Sequence, residues 1–138
     1  MASINSYPPE KEKTMKNLKK YYKIKATTEE VYNALTIPFS LELWTGEKAE
    51  MSTTAGEEFS LFNGDISGRN LQFEKDAKII QEWYFGDQKE PSIVTITLSP
   101  EGSFTKVELL HTNIPDDAFD DIKDGWDESY FGALKEFF

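Results

Sequence analysis

The chain has 138 residues, 25 Asp and Glu against 15 Lys and Arg, a net charge of −10 and no cysteine. That length suits one domain, which buries roughly 70% of the surface its unfolded chain exposes and so needs no covalent staples. The lack of cysteine excludes disulfides, thiolate metal sites and cysteine nucleophiles, and the acidity argues against nucleic acid, whose binding needs clustered Lys and Arg.

No long apolar run opens the chain, so neither a signal peptide nor a membrane span is expected, and the reading is a soluble, cytoplasmic protein. Residues 1–16 are polar, contain Pro8-Pro9 and show no periodicity, which predicts a flexible tail ahead of a single domain over residues 17–138. The charge is uneven. Residues 1–25 hold seven lysines (Lys11, Lys13, Lys16, Lys19, Lys20, Lys23, Lys25) against Glu10 and Glu12, a net +5 that leaves −15 for the rest. One reading is a solvated tail entering an edge strand, where lysines discourage edge pairing. The other is a basic arm for an acidic partner or a lipid headgroup.

Leu18 to Ala26, with Tyr22 and Ile24 at alternate positions, predicts the first strand. Thr27-Thr28-Glu29-Glu30 then offers a hydroxyl cap and first-turn acids for a short helix that buries Val31 and Leu35, with Tyr32 beside them. Pro38 ends or kinks it, and Leu41, Leu43 and Trp44 predict a second short helix closed by Gly46. Ala49 to Thr53 is a weak strand. Phe59 to Phe62 is a stronger one, followed at once by the hairpin signal Asn63-Gly64. Its partner runs from about Ile66 to Glu74, with Gly68 as a bulge or a point of close approach. Lys78 to Phe85 and Ser92 to Leu98 follow. Pro100-Glu101-Gly102 reads as a turn, and Phe104 to Ile114 as the last strand.

Asp116 to Phe138 predicts one long amphipathic helix. Phe119, Ile122, Trp126, Tyr130, Ala133/Leu134 and Phe137 recur at steps of three or four. Pro115 precedes it, and Asp116, Asp117, Asp120, Asp121 and Asp124 complement the positive end of its dipole. The acids are spaced for a helix and not for a calcium loop. The fold class is therefore α+β: six or seven antiparallel strands, two short helices after the first, and a long closing helix over the inner face.

Trp44, Trp83 and Trp126 fall in core-facing segments. They either fill the core or line a partly open pocket beneath the helix, joined by Phe59, Leu61, Phe85 and Tyr130. His111, the only histidine, shares a strand face with Val107 and Leu109. It is either a hydrogen-bonded core residue or, with Gln81, a polar contact for a ligand. No second histidine or cysteine can join it around a metal, and no metal or other cofactor is expected. Gly125, Ser129 and Gly132 lie near one stripe of the closing helix, which suggests either close approach to the sheet or room for a ligand. No phosphate loop, nucleophile elbow or marked carboxylate pair appears, so no enzymatic activity is expected.

Four segments carry a family resemblance over roughly Tyr21 to Phe138. Gly56 to Gly68 (GEEFSLFNGDISG) resembles the hairpin of the family named for the activator of the heat-shock protein 90 ATPase, and specifically that co-chaperone's C-terminal domain. Glu30 to Phe39 with Trp44-Thr45 is similar to its first helix pair, Ile79 to Phe85 to its central strand, and Gly125-Trp126 with Tyr130-Phe131 to its terminal helix. The resemblance implies a START-like helix-grip fold, in which a curved antiparallel sheet wraps the C-terminal helix and often leaves a cavity. The partner it implies is a hydrophobic small molecule or lipid, bound by Trp44, Phe59, Leu61, Gln81, Trp83, Phe85, His111, Trp126 and Tyr130. The alternative is a co-chaperone module that modulates a heat-shock protein 90-type ATPase in stress response. The full co-chaperone also has a separate N-terminal domain, for which residues 1–20 leave no room. A monomer is expected.

Overall fold

The computed structural model describes residues 14–86 and 88–138. Its frame is an antiparallel sheet of six strands in the order β1-β6-β5-β4-β3-β2. These are β1 (Met15–Ile24), β2 (Glu58–Leu61), β3 (Ile66–Glu74), β4 (Lys78–Trp83), β5 (Ser92–Glu101) and β6 (Phe104–Pro115). Each strand from β2 onward pairs with the next, and β1 returns to pair with β6. The alternation of the sequence sets the faces. On β5, Ser92, Val94, Ile96 and Leu98 are buried while Ile93, Thr95 and Thr97 are only half-buried. Thr105, Val107, Leu109 and His111 repeat the pattern on β6.

Two short helices, α1 (Thr28–Thr36) and α2 (Pro38–Thr45), separate β1 from β2. Thr27 caps α1 as its residues foretell: its hydroxyl accepts from the Glu30 amide at 3.1 Å, and the Glu30 carboxylate accepts from the Thr27 amide at 2.9 Å. Pro38 does more than stop α1. It occupies the first turn of α2, where its missing N–H costs nothing. Gly46 ends α2 at φ +75°, a left-handed conformation that favours glycine.

The structure adjusts several boundaries. Residues 1–13 of the expected tail lie outside the described residues, whereas Met15 and Lys16 already belong to β1. The weak strand at Ala49–Thr53 is a single bridge between Glu50 and Ser60. Phe62 leaves β2 and turns with Asn63, both at positive φ, so the hairpin loop is longer than the Asn63-Gly64 pair alone. Pro100 and Glu101 stay in β5, paired with Thr105 and Phe104, and the turn narrows to Gly102-Ser103. Gly68 is a point of close approach and not a bulge: a β-carbon there would strike the Glu82 carbonyl and the Phe59 ring. The bulge of β3 falls between Asn70 and Gln72.

The closing segment is helical throughout, but it is not one uniform α-helix. A 3₁₀ turn (Asp116–Ala118) leads into α3 (Phe119–Gly125), a π-helical turn (Trp126–Tyr130) and α4 (Phe131–Phe137). In the π turn the Phe131 amide bonds to the Trp126 carbonyl, five residues back. The extra residue swings Phe131 onto the buried face beside Trp126, Tyr130 and Leu134 and leaves Phe137 exposed.

Candidate functional site

Two cross-strand rows build the floor beneath the closing helix. One runs Phe59, Gly68, Trp83, Ser92 from β2 to β5. The next runs Asn70, Gln81, Val94, His111, Leu18 from β3 to β1. Every one of these residues is buried. Gly68 has to be small because the Phe59 ring lies over it. Five aromatic rings occupy the space between floor and helix. Trp83 stacks on Trp126 at 4.8 Å, Trp126 meets Tyr130 at 4.5 Å and Phe131 at 5.7 Å, and Trp44 meets Tyr130 edge-on at 5.1 Å. Such pairs contribute about 0.5–1.5 kcal/mol each beyond their area.

The indole, imidazole, serine and amide side chains in this apolar space are paired with one another and with backbone carbonyls. Trp126 Nε1 donates to His111 Nδ1 at 3.0 Å. An indole can only donate, so Nδ1 must be the bare nitrogen and Nε2 must carry the proton. His111 Nε2 then donates to Ser92 Oγ at 2.8 Å, and Ser92 donates onward to the Thr112 carbonyl at 3.0 Å. A second chain starts at Trp83, whose Nε1 donates to Gln81 Oε1 at 3.1 Å. Gln81 donates to Asn70 Oδ1 at 3.0 Å, and Asn70 to the Ser52 carbonyl at 3.2 Å. Trp44 Nε1 donates to the Ala34 carbonyl at 2.8 Å. All three indoles are thus satisfied inside the protein.

Burial sets the ionisation of this region. Desolvation pushes His111 down to about 3, so the ring is neutral at physiological pH and is no acid or base there. Desolvation also raises the Tyr130 hydroxyl far above its ordinary value. At the rim, Asp127 of the π turn accepts from Lys20 at 2.8 Å and from Tyr22 at 2.8 Å. The Lys20 hydrogen bond, with smaller help from Tyr22, holds the Asp127 carboxyl below the usual range. Burial and then Asp127 raise Tyr22, whose ring stacks on Phe131 at 4.4 Å. These contacts fasten β1 to the closing helix.

The structure brings together Trp44, Phe59, Gln81, Trp83, His111, Trp126 and Tyr130 beneath that helix, with Leu61 fully buried nearby. Phe85 sits past the end of β4, partly buried, with its ring 6.1 Å from His111. The small-residue stripe does not behave as one surface. Ser129 is exposed, and a β-carbon on Gly125 would meet nothing within 4 Å. A β-carbon on Gly132 would collide with the Asp127 carbonyl of the π turn, so the helix itself requires that glycine. Among the described residues no group of three His, Cys, Asp or Glu side chains could hold a metal, and no helix is long and apolar enough to cross a membrane.

The family model described as Activator of Hsp90 ATPase homolog 1-like protein matches residues 25–138. The chain belongs to this family. An activator of 90 kDa heat shock protein ATPase homolog from Dictyostelium discoideum is 30% identical over 133 residues, 94% of this chain and 35% of that protein. The human activator homolog 1 is 25% identical over 112 residues, 80% of this chain and 33% of that protein. The chain thus spans about a third of the length of these curated relatives. Among solved structures, an HSP90 activator from Plasmodium falciparum superposes with a TM-score of 0.80 at 28% identity, covering 90% of this chain and 96% of that one. The helix-grip architecture expected from the four resembling segments is the one observed.

Within this member of the activator family, sequence reasoning missed Asn70, Ser92, Asp127 and Phe131. Asn70 and Ser92 read as ordinary strand residues, although their places opposite Gln81 and beside His111 follow once the register is known. Asp127 and Phe131 depend on the π turn, which shifts the helical phase by one residue. The one available signal was Gly132, a glycine in a helix with no turn to make.

Proposed function

We propose that this domain works without catalysis, as a protein-binding module that engages an Hsp90-type chaperone and modulates its ATPase. The observation that carries this reading is the Trp126–His111–Ser92–Thr112 chain of hydrogen bonds, which pairs the indole, imidazole and serine groups beneath the closing helix with one another and with the backbone. A ligand site normally keeps a few polar groups aimed at its guest. Here they are aimed at each other, so the surface is left to do the recognition. The names of the Dictyostelium and human relatives support the choice of partner. The test is calorimetric titration of the chain into an Hsp90-type chaperone, together with the chaperone's ATPase rate. A saturable complex with a changed rate supports the proposal, and no complex with an unchanged rate refutes it.

A second reading is a hydrophobic small molecule or lipid held against Trp44, Phe59, Leu61, Gln81, Trp83, Phe85, His111, Trp126 and Tyr130. The π turn favours it, because such turns recur at functional sites. On this reading the closing helix has to move outward to admit the guest. Saturable shifts of these residues with a fatty acid, sterol or flavonoid support it, and their absence removes those ligand classes.

A further inference from the structure

Lys23 and Lys106 stand directly opposite each other across β1 and β6, both exposed to solvent. Like charges in that position repel each other across a sheet. Around them lies a basic and aromatic corner. The Tyr21 ring, 53% exposed, has Lys19 Nζ at 5.9 Å and Lys106 Nζ at 5.0 Å, and the Phe104 ring has Lys23 Nζ at 5.2 Å. Two carboxylates approach loosely: Glu108 at 3.8 Å from Lys19 and Glu101 at 4.0 Å from Lys23. Exposed pairs this long contribute little and exchange readily for a partner's carboxylates. Lys106 forms no salt bridge among the described residues.

We propose that this corner (Lys19, Tyr21, Lys23, Phe104, Lys106) docks an acidic segment of a partner protein. The charge of the whole chain selects that class. Residues 26–138 carry −15, which repels an extended polyanion such as nucleic acid or an anionic membrane. A short acidic segment meets the basic corner alone. The inference rests on the protein-binding reading and adds to it a location and a chemistry for the partner.

The test is nuclear magnetic resonance titration of the full chain with a decaglutamate peptide, with decaglutamine as the neutral control. Decaglutamate shifts the outward residues of β1 and β6, and its affinity falls about tenfold as salt rises from ~0.05 to ~0.5 M. The double variant Lys23→Gln/Lys106→Gln binds about five- to tenfold more weakly and melts within a few degrees of the parent, because the repulsion it removes and the exposed contacts it loses are both small. Shifts centred elsewhere, equal binding of decaglutamine, or binding only to phosphatidylserine vesicles overturns the proposal. If an Hsp90-type chaperone binds parent and double variant equally, the corner is wrong and the protein-binding reading stands. If decaglutamate binds at the corner but the chaperone does not bind at all, the choice of chaperone is wrong and the corner stands.

Discussion

Trp126 and His111 meet edge to face, with ring planes at 87° and the indole N–H donated to His111 Nδ1 at 3.0 Å. This contact joins the closing helix to the last strand. Replacing His111 with Ala opens a cavity and leaves the Trp126 N–H and the Ser92 hydroxyl short of a partner. The expected loss is about 3 kcal/mol, read as a lower urea midpoint with an unchanged slope. A core that simply closes over the gap would show a loss under about 1 kcal/mol.

Acid has a defined effect on the same pair. An unfolded chain protonates this histidine near 6.5, whereas the folded chain holds it near 3. The unfolded state therefore binds more protons between these values. The contribution of His111 is fully present above about pH 6.5 and falls as pH drops towards 3, by at most about 1.4 kcal/mol per unit. A His111→Leu variant lacks this dependence, so the stability gap between parent and variant narrows steadily in acid. A constant gap from pH 7 to 4 would contradict the buried neutral imidazole.

The two glycines of the closing helix separate cleanly. Gly125 has open space beyond it and helical dihedrals, so Gly125→Ala should stabilise by about 0.5–1 kcal/mol. Gly132→Ala forces a methyl group against the Asp127 carbonyl and should destabilise by about 2 kcal/mol. Thermal melts of the two variants check the contrast. Equal effects would mean that the π turn does not govern Gly132.

Asp127 fastens the π turn to β1. Asp127→Asn weakens the contacts to Lys20 and Tyr22 and should cost about 1 kcal/mol at pH 7, since the pair is partly exposed. The folded carboxyl titrates below the ordinary 3.8. Its contribution is present above that value and is lost as pH falls through the folded pKa. The variant and the parent should therefore converge as pH falls below 3.8 and through the lower folded value, as chemical denaturation at several pH values would show.

The pattern of this fold was legible where the local physics is strong. Thr27-Thr28-Glu29-Glu30 announced a hydroxyl-capped helix start, Gly46 a helix end, and the alternation of β4 to β6 an inner face with His111 on it. Gathering Trp44, Trp83, Trp126 and His111 into one place was also within reach. Their hydrogen-bond partners were not, because Ser92 and Asn70 meet them through strand register, which periodicity does not specify. The Lys23–Lys106 opposition was hidden for the same reason. The π turn was hidden because a helical pattern read at 3.6 residues per turn cannot reveal an inserted residue, and it took Phe131 to the buried face unannounced.

The most direct measurement follows the three indole N–H signals of Trp44, Trp83 and Trp126 as palmitate, a sterol and a flavonoid are added in turn. A core closed by its own hydrogen bonds predicts that all three signals stay in place at saturating ligand. Saturable shifts of Trp83 and Trp126 together would contradict it and would make the space beneath the closing helix a ligand site.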